Sequence, residues 1–489
     1  MRKTFLAIIL VLSASFLAIP ISAVAQPNFI FILTDDVTPD EFRFMPRTQE
    51  YFAVNGIRFT NAFVSYGACC PSRATFLTGR YSKNHGVRSN VRPSGGFDVF
   101  HNNGLESKTI AAKLQASGYS TAYFGKYFNQ YGTTTLVDPE SYIPPGWNYW
   151  YTFVSTKYFN YRLNENGITK SYGSAPEDYG TDVIAKHATN HLSTALSNHS
   201  PFFMMIAPYA VHSSTESTES PFQPIPAPRH KNLFNGVTAP RHGSFNQKDV
   251  SNKSPSVRNS PLLLPDDIDW IDNNFRERIR SLQSVDEMIG KLIDQLKNSP
   301  KGKETYIIFT SDNGYWFGEH RLKFAKAGLY DQSHRVPLAI AGPKVQRGLV
   351  REDLIVNTDF FPTILGLATV STPANSYDGR SFQLLLERST RNTAFSRKSF
   401  LIETGPERKA GIRFRNYAYL ETPSGSGLSF KELYDTHLDP DLVNNIAGKL
   451  TSDSSAALQD ALIELLACKG DTCRALENKF SDLLIKLTD

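Results

Sequence analysis

The apolar residues of this chain gather first into short, unbroken runs. Phe29, Ile30, Phe31, Ile32 and Leu33 form one of them, too short for a core helix and rich in β-formers, which predicts a strand buried on both faces. It runs into Thr34, Asp35 and Asp36. Residues 306–310 repeat the pattern and end in Ser311, Asp312, Asn313 and Gly314. Two further strands are expected at 121–124, leading into Gly125 and Lys126, and at 202–206, leading towards His212. Each of four buried strands is thus followed by a polar cluster.

Residues 273–296 change period. Ile279, Leu282, Val285, Ile289, Leu292 and Leu296 recur at helical spacing, and Arg276, Glu277, Arg280, Glu287, Lys291 and Asp294 read mostly as a solvated face. Buried strands alternating with amphipathic helices indicate an α/β domain with a largely parallel sheet. In such sheets ligands sit beyond the carboxyl ends of the strands, so Asp35, Asp36, Lys126, His212, Asp312 and Asn313 are expected to share one crevice. Residues 213–265 show no period and read as a long surface excursion that could face a substrate. The catalytic layer is expected to close after Asp359 to Thr363 and an apolar turn at 364–368, giving a main domain over 26–375. Beyond it, over 376–489, short alternating strands such as 411–420 and a helix-rich tail predict a small C-terminal α+β subdomain. Repeats and low-complexity tracts are not apparent.

Arg2 and Lys3, an apolar run over 5–18, and Ala23, Val24 and Ala25 before Gln26 have the layout of a cleaved secretory signal over 1–25, and the run is too short for a permanent anchor. No later stretch is apolar for long enough to span a membrane. The formal net charge of +5 falls to +3 once Arg2 and Lys3 leave with that segment, too mild and dispersed for nucleic acid or a polybasic membrane patch. The chain has only 4 cysteines, so it is not a disulfide-built scaffold. Cys468 and Cys473 read as a short-loop disulfide in preference to a metal pair; the adjacent Cys69 and Cys70 could bridge only with strain.

The chemistry concentrates at the strand ends. A lone Asp35-Asp36 pair would read as a helix cap or turn. A second acidic strand end changes this, because crowded carboxylates repel unless a cation lies among them. Asp35, Asp36, Asp312 and Asn313 offer hard oxygen donors, which suit Ca²⁺, or less well Mg²⁺, and not zinc. Lys126, His212, Lys326, Arg73 and Arg80 would bring positive charge or donors to the same place, as a tetrahedral oxyanion ester requires. His85 and His320 are weaker candidates.

Cys69, Cys70, Pro71, Ser72 and Arg73, continued by Thr78, Gly79 and Arg80, resemble the signature of the formylglycine-dependent sulfatases. The resemblance extends through Asp35-Asp36, Gly125-Lys126, His212, Asp312-Asn313-Gly314, and Lys326 followed by Tyr330, Asp331, Arg335, Val336 and Pro337. Within the family it is nearest to N-acetylglucosamine-6-sulfatases, through Lys126, Tyr127, Phe128, Asn129 and Gln130, and through Pro144 to Trp147. It implies an alkaline-phosphatase-like sulfatase fold and oxidation of Cys69 to formylglycine by a maturation enzyme. It further implies a cation held by Asp35, Asp36, Asp312, Asn313 and the converted Cys69, and a sulfated glycan as substrate. Lys126 and Lys326 would hold the sulfate oxygens, His212 would protonate or position the departing sugar oxygen, and Arg73 would stabilise the formylglycine hydrate. Phe128 stands where many arylsulfatases have a histidine, which moves any such role elsewhere, for example to Asn129. The competing readings are an arylsulfatase of other sulfate-ester specificity, a phosphate or phosphonate ester hydrolase on the same fold, and a glycan-binding protein whose Cys69 is never converted.

Overall fold

The computed structural model describes residues 26–133, 138–216, 222–387, 395, 397–405, 409–423 and 429–479 of the 489; the expected signal segment lies outside them. Ten strands build the main sheet: β1 (Asn28–Thr34), β2 (Gly56–Phe59), β3 (Ser120–Gly125), β4 (Tyr149–Phe153), β5 (Arg162–Glu165), β6 (Ile168–Ser171), β7 (Phe202–Ala207), β8 (Thr305–Ser311), β9 (Leu338–Ala341) and β10 (Leu349–Arg351). Their order is β10-β2-β9-β8-β1-β7-β3-β4-β5-β6. The central strands β8, β1, β7, β3 and β4 are mutually parallel. On one side β9 runs antiparallel to both β8 and β2, and on the other β5 and β6 form antiparallel additions. The sheet is therefore mixed around a parallel centre.

Strand alternation explains why the central runs are apolar throughout. Phe29, Phe31 and Leu33 enter one core with Tyr123, Phe203 and Ile308, while Ile30 and Ile32 enter the opposite core with Phe124, Met204 and Phe309. Helices cover both faces. The helix α1 (Cys69–Thr78) and the helix α4 (Phe360–Leu367) lie on the first, and α2 (Gly180–Ser197) and α3 (Pro265–Lys297) on the second. The expected stripe of α3 from Ile279 to Leu296 is buried, and the helix extends it by two turns towards its start.

Two expectations need correction. Residues 364–367 are not a turn: they complete α4, which Ala368 caps, whose apolar residues are nearly continuous and whose entry is held by the Asp359 carboxylate accepting from Val356 N. Arg280 is not on a solvated face; it is buried, with its guanidinium on Leu233 O, Asn235 and Glu277.

The excursion after His212 is ordered where it is described. Asn246 exchanges hydrogen bonds with Leu263, Arg241 grips Asp272, and buried Lys253 donates to Tyr434 Oη at 2.9 Å. Past it, β11 (Ser399–Thr404), β12 (Lys409–Phe414), β13 (Tyr417–Pro423) and β14 (Ser429–Asp435) form an antiparallel sheet, so residues 411–420 are parts of two strands of a hairpin. One face packs under α5 (Ser452–Ala467) and α6 (Asp471–Lys479), which Cys468 and Cys473 tie together by a disulfide. The other packs on the main body through Phe400, Ile402 and Leu420 against Phe63 and Tyr330. Phe382, Leu385 and Leu386 belong to the first core of the main sheet.

Candidate active site

Four parallel strands deliver their carboxyl ends to one buried place. β1 ends at Asp35 and Asp36, β3 at Lys126, and β8 at Asp312 and Asn313, while the segment after β7 brings in His212. Gly125 makes the turn to Lys126 possible: its φ is +108°, and a Cβ there would sit 2.0 Å from Ala207 O of the neighbouring strand. Asp36 has a φ of +69°, a strained choice for a non-glycine residue that turns its carboxylate back into the site.

Cys69 enters from the opposite direction as the first residue of α1, whose capping residue Ala68 offers no side-chain oxygen. Its Sγ lies 3.5 Å from Asp35 Oδ1, 2.9 Å from Lys326 Nζ and 3.6 Å from Lys126 Nζ. Lys126 Nζ also pairs with Asp35 Oδ2 at 2.5 Å, and Lys326 Nζ with Asp36 Oδ1. Arg73, one helical turn on and fully buried, donates to Asp312 Oδ2 at 2.8 Å and to Lys126 O at 2.6 Å, with Asp35 Oδ2 3.4 Å away. It braces the carboxylates and has no hydrogen bond to Cys69. His212 donates from Nδ1 to Ser213 O at 2.7 Å, which leaves Nε2 facing Asp36 Oδ2 at 4.0 Å.

The charges order themselves accordingly. Burial alone would raise the Asp35 carboxyl, but Lys126, His212, Arg73 and Lys326 together outweigh it and hold it well below the usual range. Asp36 is likewise lowered, against its burial, by Lys326 and His212. Asp312 goes the other way, raised to about 6 by burial and by the charge of Asp35. Burial, with Lys126 nearby, lowers His212 to about 4, so its ring is neutral. Burial and then Asp35 push the Cys69 thiol far up. Cys69 is thus a poor thiolate, the opposite of what a cysteine nucleophile needs.

The donors fit a hard cation. Ligand atoms of Asp35, Asp36, Cys69 and Asp312 all lie within 4.8 Å of one another. Asn313 uses Nδ2 on Asp36 Oδ1 and Gly314 O, and its buried Oδ1 has no hydrogen-bond partner. An orphaned buried carbonyl oxygen beside three carboxylates is what a bound Ca²⁺ or Mg²⁺ would satisfy.

Not every expected residue arrives. Arg80 lies away from the cluster, its Nε donating to Ser376 O, because Gly79 ends α1 and turns the chain away. His85 and His320 are buried elsewhere, on Thr75 and Val87 and on Gln247. Phe128 packs on Phe100 with ring centroids 4.4 Å apart within an aromatic core, and Asn129 contributes its backbone N–H, donated to Cys70 Sγ at 3.2 Å. Other residues were not anticipated. Buried Arg278 ties Glu41 to the carbonyls of Asp36 and Val211, holding two site loops at once. Its place on the apolar stripe of α3, between Phe275 and Leu282, was the available signal. Tyr158 donates to His212 O and Tyr209 stacks on the His212 ring; Asn357 holds Ser72 and Asn90 holds Cys70 N. These follow from tertiary contact and have no local mark.

Comparison with known proteins agrees with this geometry. The profile of the family described as Sulfatase matches residues 27–370, and one described as N-sulphoglucosamine sulphohydrolase, C-terminal, matches 318–468. The chain is 32% identical to an N-acetylglucosamine-6-sulfatase of Homo sapiens, over 92% of this chain and 86% of that protein. It is 30% identical to an arylsulfatase of Volvox carteri, over 92% and 76%. A solved structure in complex with its substrate D-glucosamine-2-N,6-O-disulfate superposes with a TM-score of 0.71 at 25% identity, covering 94% of this chain and 99% of that one. With the family's profile matching most of its length and relatives 32% identical along 92% of it, the chain belongs to the sulfatase family.

Proposed function

We propose that the protein hydrolyses the 6-O-sulfate of N-acetylglucosamine in a glycosaminoglycan-type glycan. The observation that carries this reading is the surround of Cys69 Sγ, with two lysine ammoniums and three carboxylates converging on an atom too buried and too near Asp35 to act as a thiolate. The N-acetylglucosamine-6-sulfatase relatives and the glucosamine disulfate complex favour this sugar and this position.

In this reading Cys69 Sγ marks the place where oxidation to formylglycine by a maturation enzyme puts an aldehyde, whose hydrate supplies a hydroxyl for attack on sulfur and a second to release the sulfate afterwards. Asp35, Asp36, Asp312, Asn313 and the converted Cys69 would hold Ca²⁺, with Mg²⁺ the poorer fit. Bound there, such a cation polarises oxygen ligands and offsets the charge of the sulfate. Lys126 and Lys326, both kept charged by the carboxylates beside them, grip sulfate oxygens. His212 sits neutral with its outer nitrogen towards the leaving sugar oxygen, where it accepts or returns a proton once substrate charge is present. Arg73 holds Asp312, Asp35 and the Lys126 carbonyl in register. Domain limits of 26–375 and 376–489 and export directed by residues 1–25 belong to the same reading.

Peptide mapping of active protein tests it. The segment from Phe59 to Arg73 should carry an aldehyde at Cys69 and an alkylatable thiol at Cys70. Full activity with only unmodified Cys69 would refute the mechanism.

A further inference from the structure

Two of the site's side chains reach solvent more than the rest. Asp35, Asp36, Arg73 and Lys126 are at most 3% exposed, whereas Lys326 is 14% and His212 23% exposed. The segments that carry those two residues meet again. Two residues after His212, Ser214 exchanges backbone hydrogen bonds with the 222–223 segment: Phe222 N donates to Ser214 O at 2.9 Å and Ser214 N to Gln223 O at 3.1 Å. Two residues before Lys326 lies Phe324. The rings of Phe222 and Phe324 stack, with centroids 6.3 Å apart and planes 16° from parallel, and Trp270 of α3 packs on Phe324 at 5.1 Å. Despite these contacts Phe222 remains 52% and Phe324 42% exposed.

Single exposed apolar residues need no explanation, but three aromatic rings joined in a row on segments that lead directly from the two most exposed site residues do. Phe222 holds a φ of +64°, which a bulky side chain rarely adopts. Lys323 Nζ, paired with Asp267, lies 5.1 Å over the Trp270 ring, so Trp270 is engaged by a cation as well as by Phe324, and the large exposed aromatic side chains of the row are the two phenylalanines.

A pyranose ring has a face of C–H groups, whose positive edges suit the negative face of an aromatic ring, and a rim of hydroxyls that stays in water. Phe324 is two residues from Lys326, at most roughly 7 Å of backbone, so the platform lies within reach of a sugar neighbouring the one that Lys326 would serve. We infer that Phe222 and Phe324, backed by Trp270, form a stacking subsite for the sugar next to the sulfated one. This rests on the reading of a sulfated glycan as substrate. It gives the enzyme a preference for chains over free monosaccharide.

The test compares N-acetylglucosamine 6-sulfate with a heparan-type tetrasaccharide ending in the same 6-sulfated sugar, using protein with converted Cys69. In the wild type kcat/KM should favour the tetrasaccharide. In F222A/F324A the ratio of the two kcat/KM values should fall about tenfold, through KM of the tetrasaccharide, as loss of two ring contacts implies. F324W should restore most of the ratio when introduced with Phe222 intact. An unchanged ratio in the double variant, or equal losses on both substrates, overturns the subsite. Should the wild type release sulfate from neither compound, the substrate reading fails by itself. Trp270 fluorescence titrated with the same tetrasaccharide then decides the subsite: weaker binding in F222A/F324A supports it and equal binding overturns it.

Discussion

Cys69 and Cys70 begin the same helical turn, and their surroundings separate them. Cys69 Sγ meets Asp35 and two lysines, while Cys70 Sγ receives the Asn129 N–H and faces Asn90 O, a bonded pocket with no reactive partner. Of the two, Cys69 is the one that the proposed conversion fits. Around it, Asp312 bonds Arg73 and the Asp36 N–H and is one of the carboxylates proposed to hold the cation. Asp312→Ala should lower turnover by at least about 10²-fold, the usual cost of removing charge stabilisation at a reacting centre, with an unchanged far-ultraviolet circular dichroism spectrum. Near-normal turnover would remove Asp312 from the site. At this scale the sequence was informative where a polar residue ends an apolar strand, since such ends must converge in a parallel sheet. It was silent on Asn90, Asn357 and Tyr158, whose partners are distant in the chain. It misled on Arg80, whose position after a helix-ending glycine carries it off the site.

Among the elements, α1 needs the most support, because it places Cys69 against the strand ends without a side-chain cap of its own. His85 supplies part of that support. Its Nδ1 accepts from Val87 N, so its Nε2–H donates to Thr75 Oγ1, and Thr75 in turn donates to Pro71 O within α1. Burial, and then Arg80 and Arg88, lower His85 from 6.5 to about 3. A depressed histidine pKa means that the unfolded chain takes up the proton first as pH falls. The stabilisation from neutral His85 is complete above pH 6.5 and is lost progressively below it. The stability gap between wild type and His85→Gln should therefore narrow as pH falls from 7 to 5, by at most about 1.4 kcal/mol per unit below the unfolded pKa. Chemical denaturation at both pH values measures it, and a constant or widening gap would contradict the assignment. The four central strands and α3 were legible from their periods. The antiparallel strands β5, β6 and β9 were not, because four residues each make no distinct run, and in α4 the apolar residues are nearly continuous and show no polar face to mark a helical period.

Across the whole molecule, the C-terminal sheet and its helices are fastened to the main body by buried ions as well as by apolar packing. Arg397 pairs with Asp359 at the start of α4 and with Glu477 of α6 at 2.5 Å, and Glu477 also accepts from Tyr81 and Arg380. Replacing Arg397 by Met takes the guanidinium from between two buried carboxylates, leaving Glu477 to Arg380 and Tyr81, and should cost about 3–5 kcal/mol of stability, read as a fall in Tm; a Tm within a degree or two of wild type would show that the network is not a fastening. Nothing in the local pattern pointed to this network, for it joins residues far apart in the chain. The order of the layers, by contrast, followed from where strands and helices alternate. The central claim concerns the whole assembly, a sulfate ester hydrolase fitted to a sugar. The most direct test is sulfate release, by protein with confirmed Cys69 conversion, from N-acetylglucosamine 6-sulfate beside a 2-O-sulfated uronate, an aryl sulfate and the matching 6-phosphate. The account predicts fastest release from the 6-sulfated sugar. Preference for the 6-phosphate, or cleavage of the aryl ester alone, would contradict it.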